Sequence, residues 1–285
     1  LLLLTTLFWA GNAVAGKLAA GHISPMLLTA MRWALALAIL LAIGWRQLRA
    51  DVPALKPKLL YLLLLGFLGF AVFNIALYGA LVYTTAINVS IEQGAIPMLI
   101  FLLNFLFFRV RATALQLLGL LMSVTGILLT ASHGSPARLL QFEVNVGDAI
   151  MVLGVVSYGA YTVLLRYRPA VRWQSLMIVL VMGGLLGALP FAAAEYRFGA
   201  LVWPDTFGWA ILAYVAIFPS ILAQVFFIRG VEMIGANRAG RFVNLVPILG
   251  TLLSIVIVGE AFQAYHAVAL ALVLGGIALR RGRRC

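Results

Sequence analysis

The sequence predicts an all-α integral membrane protein whose ten transmembrane helices form two inverted five-helix repeats. Three observations carry this: the apolar composition, the one-sided placement of the basic residues, and a weak internal repeat. Apolar residues make up 64% of the 285-residue chain and charged residues 10%, against roughly 45–50% and about 25% in soluble domains. A helical span needs about 20 mostly apolar residues, so there is room for roughly ten. A transmembrane barrel would alternate polar and apolar residues every second position. The stretches LLYLLLLGFLGFAVF (59–73) and ALALAILLAIGW (34–45) are instead apolar all round, and only helices bury such segments in lipid.

Cutting at charges, Pro and Gly places the spans in order. The first, about 1–20, is LLLLTTLFWAGNAVAGK; no basic residues precede its apolar run, so it is read as a span and not as a cleaved leader. Without an initiating Met the first helix is expected to begin upstream. The second (25–45) opens on Pro25 and stops before Arg46, and the third (58–82) follows Lys56 and Lys58. The fourth (86–108) runs to Arg109, and the fifth (113–131) stops before the HGSP turn. The sixth (147–166) closes on Arg166, the seventh (173–194) follows Arg172, and the eighth (207–229) closes on Arg229. The ninth (236–258) follows Gly235, and the tenth (263–280) runs into the basic C-terminus.

The basic residues test this count. If the spans alternate, 16 of the 20 Lys and Arg fall on one side: Arg46, Arg49, Lys56, Lys58, Arg109, Arg111, Arg166, Arg168, Arg172, Arg229, Arg238, Arg241, Arg280, Arg281, Arg283 and Arg284. Only Lys17, Arg138 and Arg197 fall opposite, and Arg32 lies within a span. Adding or removing one span scrambles the split. The positive-inside rule then puts both termini in the cytoplasm and the chain in the inner, cytoplasmic membrane. The same clustering turns the net charge of +12 into a statement about orientation, so no nucleic-acid partner is expected.

Comparing the halves gives the repeat. At an offset of 150, Ala86 meets Ala236, Pro97 meets Pro247, and Gly126-Ile127 meets Gly276-Ile277; near the starts, at 149, Trp9 meets Tyr158 and Lys17 meets Arg166. The two units are residues 1–131 and 147–280, together one transport domain. Five spans per unit is odd, so the second enters the membrane from the opposite face, the arrangement of inverted-repeat transporters.

Several chemistries are missing from the sequence. No Gly-x-x-x-x-Gly-Lys-Ser/Thr loop for ATP is present. The histidines, His22, His133 and His266, sit at span ends without metalloprotease spacing, and the one cysteine, Cys285, is terminal. No enzyme activity, metal or cofactor is therefore expected. The sequon Asn88-Val89-Ser90 abuts a span and reads as a chance match.

With LFWAGNAVAGK in the first span, the aligned Pro97 and Pro247, and VGEAFQAYHAVALALVLGGIAL (258–279), the chain resembles the drug/metabolite transporter superfamily in its ten-helix EamA type. The last stretch is similar to the family's Gly-Glu turn and Gly-rich final helix. The equivalent turn of the first half, RVRA, lacks the acidic residue. The resemblance implies an exporter of small organic molecules working by alternating access, with a cavity between the third and fourth helices and the eighth and ninth. Within the family the chain is most similar to YddG-type exporters of aromatic and other amino acids. A small-molecule substrate and membrane lipid are the implied partners, and a monomer suffices. A sugar-phosphate or nucleotide-sugar carrier of the same superfamily is the alternative, but organic phosphates call for several buried cations and only Arg32 is deep. A membrane enzyme or a receptor for a lipid-soluble ligand is the alternative from another class.

Polar residues within spans are costly and so are the candidates for the site. Asn12, Asn74, Tyr78, Gln93, Tyr158, Tyr161, Gln224 and Asn244 are expected to bind substrate, amides meeting its polar groups and rings its apolar part. The competing reading is interhelical hydrogen bonding. On a straight helix Gln93, Pro97 and Asn104 share one face. Arg32 and Glu92 lie seven and six residues below their span starts, about 10 and 9 Å down at ~1.5 Å per residue. That common depth suggests an ion pair, either at an outer gate or purely structural. The residues aligned with them are Val181 and Phe242, so the pair does not recur. Pro97 and Pro247 are expected to kink their helices as paired hinges.

Overall fold

The computed structural model describes residues 1–109, 113–135 and 145–279, with only the backbone of Ala236 and Asn237. Arg111, Arg138, Arg280, Arg281, Arg283, Arg284 and Cys285, weighed above, lie outside the described residues. Among the described residues all regular secondary structure is helical. The first half comprises α1 (Leu2–Leu18), α2 (Pro25–Leu55), α3 (Leu59–Gly66), α4 (Phe73–Ala80), α5 (Ala86–Gln93), α6 (Ile96–Phe108) and α7 (Ala114–Ala131). The second comprises α8 (Val146–Leu164), α9 (Trp173–Arg197), α10 (Thr206–Ile217), α11 (Ala223–Ile234), α12 (Ala236–Phe242), α13 (Val246–Leu253) and α14 (Ala264–Leu279).

Seven helical stretches are long and apolar enough to cross a membrane, from Pro25–Ala80 to Arg238–Val258, and α1 and α14 are shorter apolar helices. In lipid every backbone group must be satisfied within its own segment, so Leu- and Ala-rich runs close into helices. The stretch Pro25–Ala80 folds back at the tight turn Lys56–Lys58, because α4 returns to pack on α2.

Helix starts are capped locally where the sequence supplies an oxygen. The Thr85 hydroxyl accepts from the Asn88 N–H (3.1 Å), Thr113 and Gln116 form a capping box, and Asn145 Oδ1 accepts from the Gly147 N–H (2.7 Å). Other starts are capped from a distant helix. Glu195, near the end of α9, accepts from the N–H groups of Met26 and Leu27 (3.0 and 2.9 Å) at the start of α2. Asp51, near the end of α2, accepts from the Arg172 N–H (3.1 Å) and the Ser175 hydroxyl (2.7 Å) at the start of α9. Glu260, in the Gly-Glu turn, accepts from the N–H groups of Ala86 and Ile87 (2.8 and 2.9 Å) at the start of α5. A carboxylate on two unpaired N–H groups satisfies them and offsets the helix dipole together. Lys17 does the reverse for α4, donating to the carbonyls of Leu81 (2.9 Å) and Thr84 (2.7 Å).

Small residues let the helices touch. A methyl group on Gly119 would overlap the Gly276 carbonyl and one on Gly276 the Gly119 carbonyl, so α7 and α14 meet backbone to backbone. Gly66 against Leu180 and Gly183 against Leu63 bring α3 and α9 together in the same way.

The helices are interrupted where they face the centre. Phe67–Val72 and Phe218–Leu222 are π-helical, and the fourth predicted span breaks after Gln93. Pro97 lies in the first turn of α6 and Pro247 in the first turn of α13. This corrects the expected mid-helix kinks: a first-turn proline removes an N–H that would have no helical partner, so each proline starts a helix at no cost. The two breaks touch, since a methyl group on Gly94 would meet the Pro247 ring at 3.1 Å.

Candidate functional site

Between these interruptions lies a cavity of about 830 Å³, mouth included. Trp9 and Asn12 come from α1, Arg32 and Trp33 from α2, Phe70 from the first π segment, and Phe73 and Asn74 from α4. Gln93 and Pro97 flank the α5–α6 break, Tyr158 projects from α8, and Gln224, Asn244 and Pro247 complete the wall.

Arg32 is the centre of the polar part and is buried at 4% exposure. Its Nη1 donates to Asn12 Oδ1 (3.0 Å), Asn74 Oδ1 (2.6 Å) and the Tyr78 hydroxyl (2.5 Å), and its Nε to the Ser220 hydroxyl (2.7 Å). The acceptors are themselves fixed. Tyr78 passes its own hydrogen to Asn12 Oδ1 (2.9 Å), Ser220 to the Val215 carbonyl (2.6 Å), and Asn74 Nδ2 to the Phe70 carbonyl (2.8 Å). The Trp33 ring lies 4.7 Å from the guanidinium carbon, a cation–π distance, and stacks on Phe70 while its N–H reaches the Phe70 carbonyl (3.1 Å). All these partners are neutral. Among the described residues Arg32 meets no carboxylate, and its Nη2 makes no hydrogen bond.

The expected Arg32–Glu92 ion pair is therefore absent. Both Glu92 oxygens are fully buried and, among the described residues, make no hydrogen bond of ordinary geometry. Equal depth placed the two residues level, but α2 packs on α9, α10 and α4, whereas α5 packs on α7, α8, α13 and α14. Arg32 faces the cavity and Glu92 faces away from it.

The other residues singled out from sequence divide by position. Asn12, Asn74, Gln93, Tyr158, Gln224, Asn244, Pro97 and Pro247 line the cavity. Tyr78 stands behind it, holding Arg32. Tyr161 lies in a groove that continues from the cavity past Trp9, Tyr158 and Gln224 toward the basic end, where Arg168 and Glu232 line it. Asn104 is at that end too, accepting from Arg166. The break at Gly94–Ala95 resets the helical phase, so the stripe expected of a straight helix ends at Pro97. Among the described residues Gln93 bonds only back to the Val89 carbonyl (3.3 Å), so its amide bridges none of the described helices. The aromatic lining of Trp9, Trp33 and Phe73 was passed over, since apolar rings in apolar spans carry no signal of their own.

Asn88 is fully buried and bonded to Asp148 and His266, so the sequon is an internal hydrogen-bonding element.

Comparison with known proteins agrees with this architecture. A solved crystal structure superposes with a TM-score of 0.64 over 97% of this chain and 93% of its own, at 23% identity, a likeness of fold alone. The uncharacterized transporter YetK of Bacillus subtilis is 28% identical over 93% of this chain and 81% of its own length. YyaM of the same organism, also named an uncharacterized transporter, is 26% identical over 93% and 87%. An uncharacterized transporter of Archaeoglobus fulgidus is 25% identical over 100% of this chain and 97% of its own. The model of the EamA-like transporter family matches residues 1–132 and 145–280, nearly the whole sequence, and the chain belongs to that family.

Proposed function

We propose that this transporter is a secondary carrier exporting small organic solutes that bear a carboxylate, amino acids foremost, by alternating access. The observation that carries the reading is Arg32: a buried guanidinium on the cavity wall, held by four neutral groups, with Nη2 unpaired. A buried cation without a counter-charge costs several kcal/mol, which a carboxylate-bearing solute would offset through charge-assisted hydrogen bonds. Trp9, Phe70, Phe73 and Tyr158 offer ring faces to an apolar or aromatic side chain, and the amide oxygens of Gln224 and Asn244 on the wall can accept from an ammonium. Arg32 is the one Lys or Arg on this wall among the described residues, which favours a carboxylate over a phosphate ester.

Alternating access follows from a ten-span inverted repeat, a reading with three supports. Glu195 caps α2 from α9 while Asp51 caps α9 from α2. The π segments Phe67–Val72 and Phe218–Leu222 stand about one repeat apart. The family model matches two stretches, one per half. The groove leads to the basic end, which the positive-inside rule assigns to the cytoplasm, so this conformation is inward-open.

Uptake and counterflow of an amino-acid panel in proteoliposomes test the proposal. Aromatic and other amino acids are expected to move above the protein-free background, and phosphate esters are not. A panel in which no amino acid moves refutes it.

A further inference from the structure

On the side of α5 away from the cavity, Glu92, Asp148, Asn88, Thr84 and His266 form a buried polar cluster between α5, α7, α8 and α14. Its hydrogen bonds run one way. The Gln263 N–H donates to His266 Nδ1 (2.9 Å), so the neutral ring carries its hydrogen on Nε2 and donates it to Asn88 Oδ1 (3.1 Å). Asn88 Nδ2 donates to Asp148 Oδ1 (3.3 Å), and the Thr84 hydroxyl to the same oxygen (2.5 Å). Asp148 also sits in the first turn of α8, where the helix dipole favours negative charge. The Thr84 and Asn88 donors thus end on Asp148, which is placed to be the anion.

Glu92 has the opposite surroundings. It is 0% exposed, and among the described residues neither oxygen makes a hydrogen bond of ordinary geometry. The Thr130 hydroxyl beside it on α7 donates its hydrogen to the Ile127 carbonyl (2.7 Å). The charged and titratable groups on the packed elements supply no counter-ion. Asp148 on α8 is a like charge. His266 and Tyr265 on α14 bond to Asn88 and His133, Glu260 caps α5, and Lys17 on α1 binds two carbonyls. Two carboxylates whose environments differ this far divide the roles of acid and base between them.

We infer that Glu92 holds an exchangeable proton beside an ionised Asp148, forming a proton-binding site separate from the solute cavity and joined to it through α5. That helix carries Glu92 on one face and the cavity residue Gln93 next to it, and its start is latched by Glu260. Rocking that frees this end opens the cluster to water, the proton leaves Glu92 Oε for water and is regained on closure, and the same helix moves Gln93 against the solute. The inference rests on the carrier reading for its transport arm alone.

Infrared spectroscopy of the full chain in lipid nanodiscs tests the site without any solute. A carbonyl band of a buried protonated carboxyl is expected at neutral pH, retained in Asp148→Asn and lost in Glu92→Gln. Transfer to D2O should shift the band within minutes. Should Glu92→Gln fail to fold, Glu92→Asp serves instead, keeping a protonated-carboxyl band at a shifted frequency. No band at neutral pH, a band that survives Glu92→Gln or is unmoved in Glu92→Asp, or one unshifted after a day in D2O overturns the inference. In proteoliposomes a pH gradient should accelerate amino-acid efflux by wild type severalfold, while Glu92→Gln keeps exchange and loses the acceleration. Efflux indifferent to the gradient in wild type also overturns it. If no amino acid moves at all, the solute reading fails and the infrared band still decides the proton.

Discussion

In the proposed carrier, Arg32 is the residue on which solute recognition would turn. Each charge-assisted hydrogen bond contributes about 1.5–3 kcal/mol, so Arg32→Gln should lower kcat/KM for the carried amino acid about 10- to 100-fold. Arg32→Lys should rescue little, because a single ammonium cannot reach Ser220 on one side and Asn12, Asn74 and Tyr78 on the other while facing the solute. Uptake kinetics in proteoliposomes check both variants. A second residue-scale prediction concerns acid stability. The Gly208 N–H (2.7 Å), then His22 Nδ1 (2.7 Å), hold the Asp205 carboxyl below its ordinary value. A carboxyl lowered by folding stabilises the fold above its unfolded value, about 3.9, and the contribution is lost as pH falls through the lowered one. Asp205→Asn should therefore lower the neutral plateau of a plot of Tm against pH and flatten its acid limb, with the most acidic values little changed.

Among helices, the carboxylate caps link elements distant in sequence. Glu260→Ala leaves the N–H groups of Ala86 and Ile87 without acceptors and should cost about 1–2 kcal/mol, read as a lower Tm. Glu232→Ala, which removes only the exposed i,i+3 pair with Arg229, should cost about 0.5 kcal/mol or less. Glycine contacts are more demanding. Gly276→Val forces side-chain atoms against the Gly119 carbonyl, separating α7 from α14 at a cost of about 1–3 kcal/mol. Thermal unfolding in detergent ranks the three variants. Helix starts were legible in the sequence where a cap or charge is local, but the end of the second was not: α2 runs on past Arg46 to Leu55, because a charge ends a lipid-facing run without ending a helix. The α5–α6 break was not, since Gly94 and Ala95 interrupt the helix where they meet Pro247 from the other half of the chain.

For the molecule as a whole, the mouth at the basic end sets which side reaches the cavity. In a Cys285→Ser background, a cysteine replacing Ile228 in the groove should react with a membrane-impermeant maleimide in inverted vesicles and stay unlabelled in intact cells. Labelling from the cell exterior alone would reverse the orientation inferred from the basic residues.

The sequence by itself determined that the chain is helical, membrane-embedded and basic at one set of helix ends. Those properties follow from composition and from the requirement that each segment satisfy its own backbone in lipid. It also singled out the polar residues, since each is conspicuous among apolar neighbours. Which of them meet was decided by the tertiary structure. A residue's depth follows from its count along a helix, but the direction it faces depends on which helices pack beside it and on where each helix breaks. Hence Arg32 and Glu92, level in depth, ended on opposite sides of the packed helices. One lies in a cavity with four neutral partners, and the other is sealed behind α5 with none.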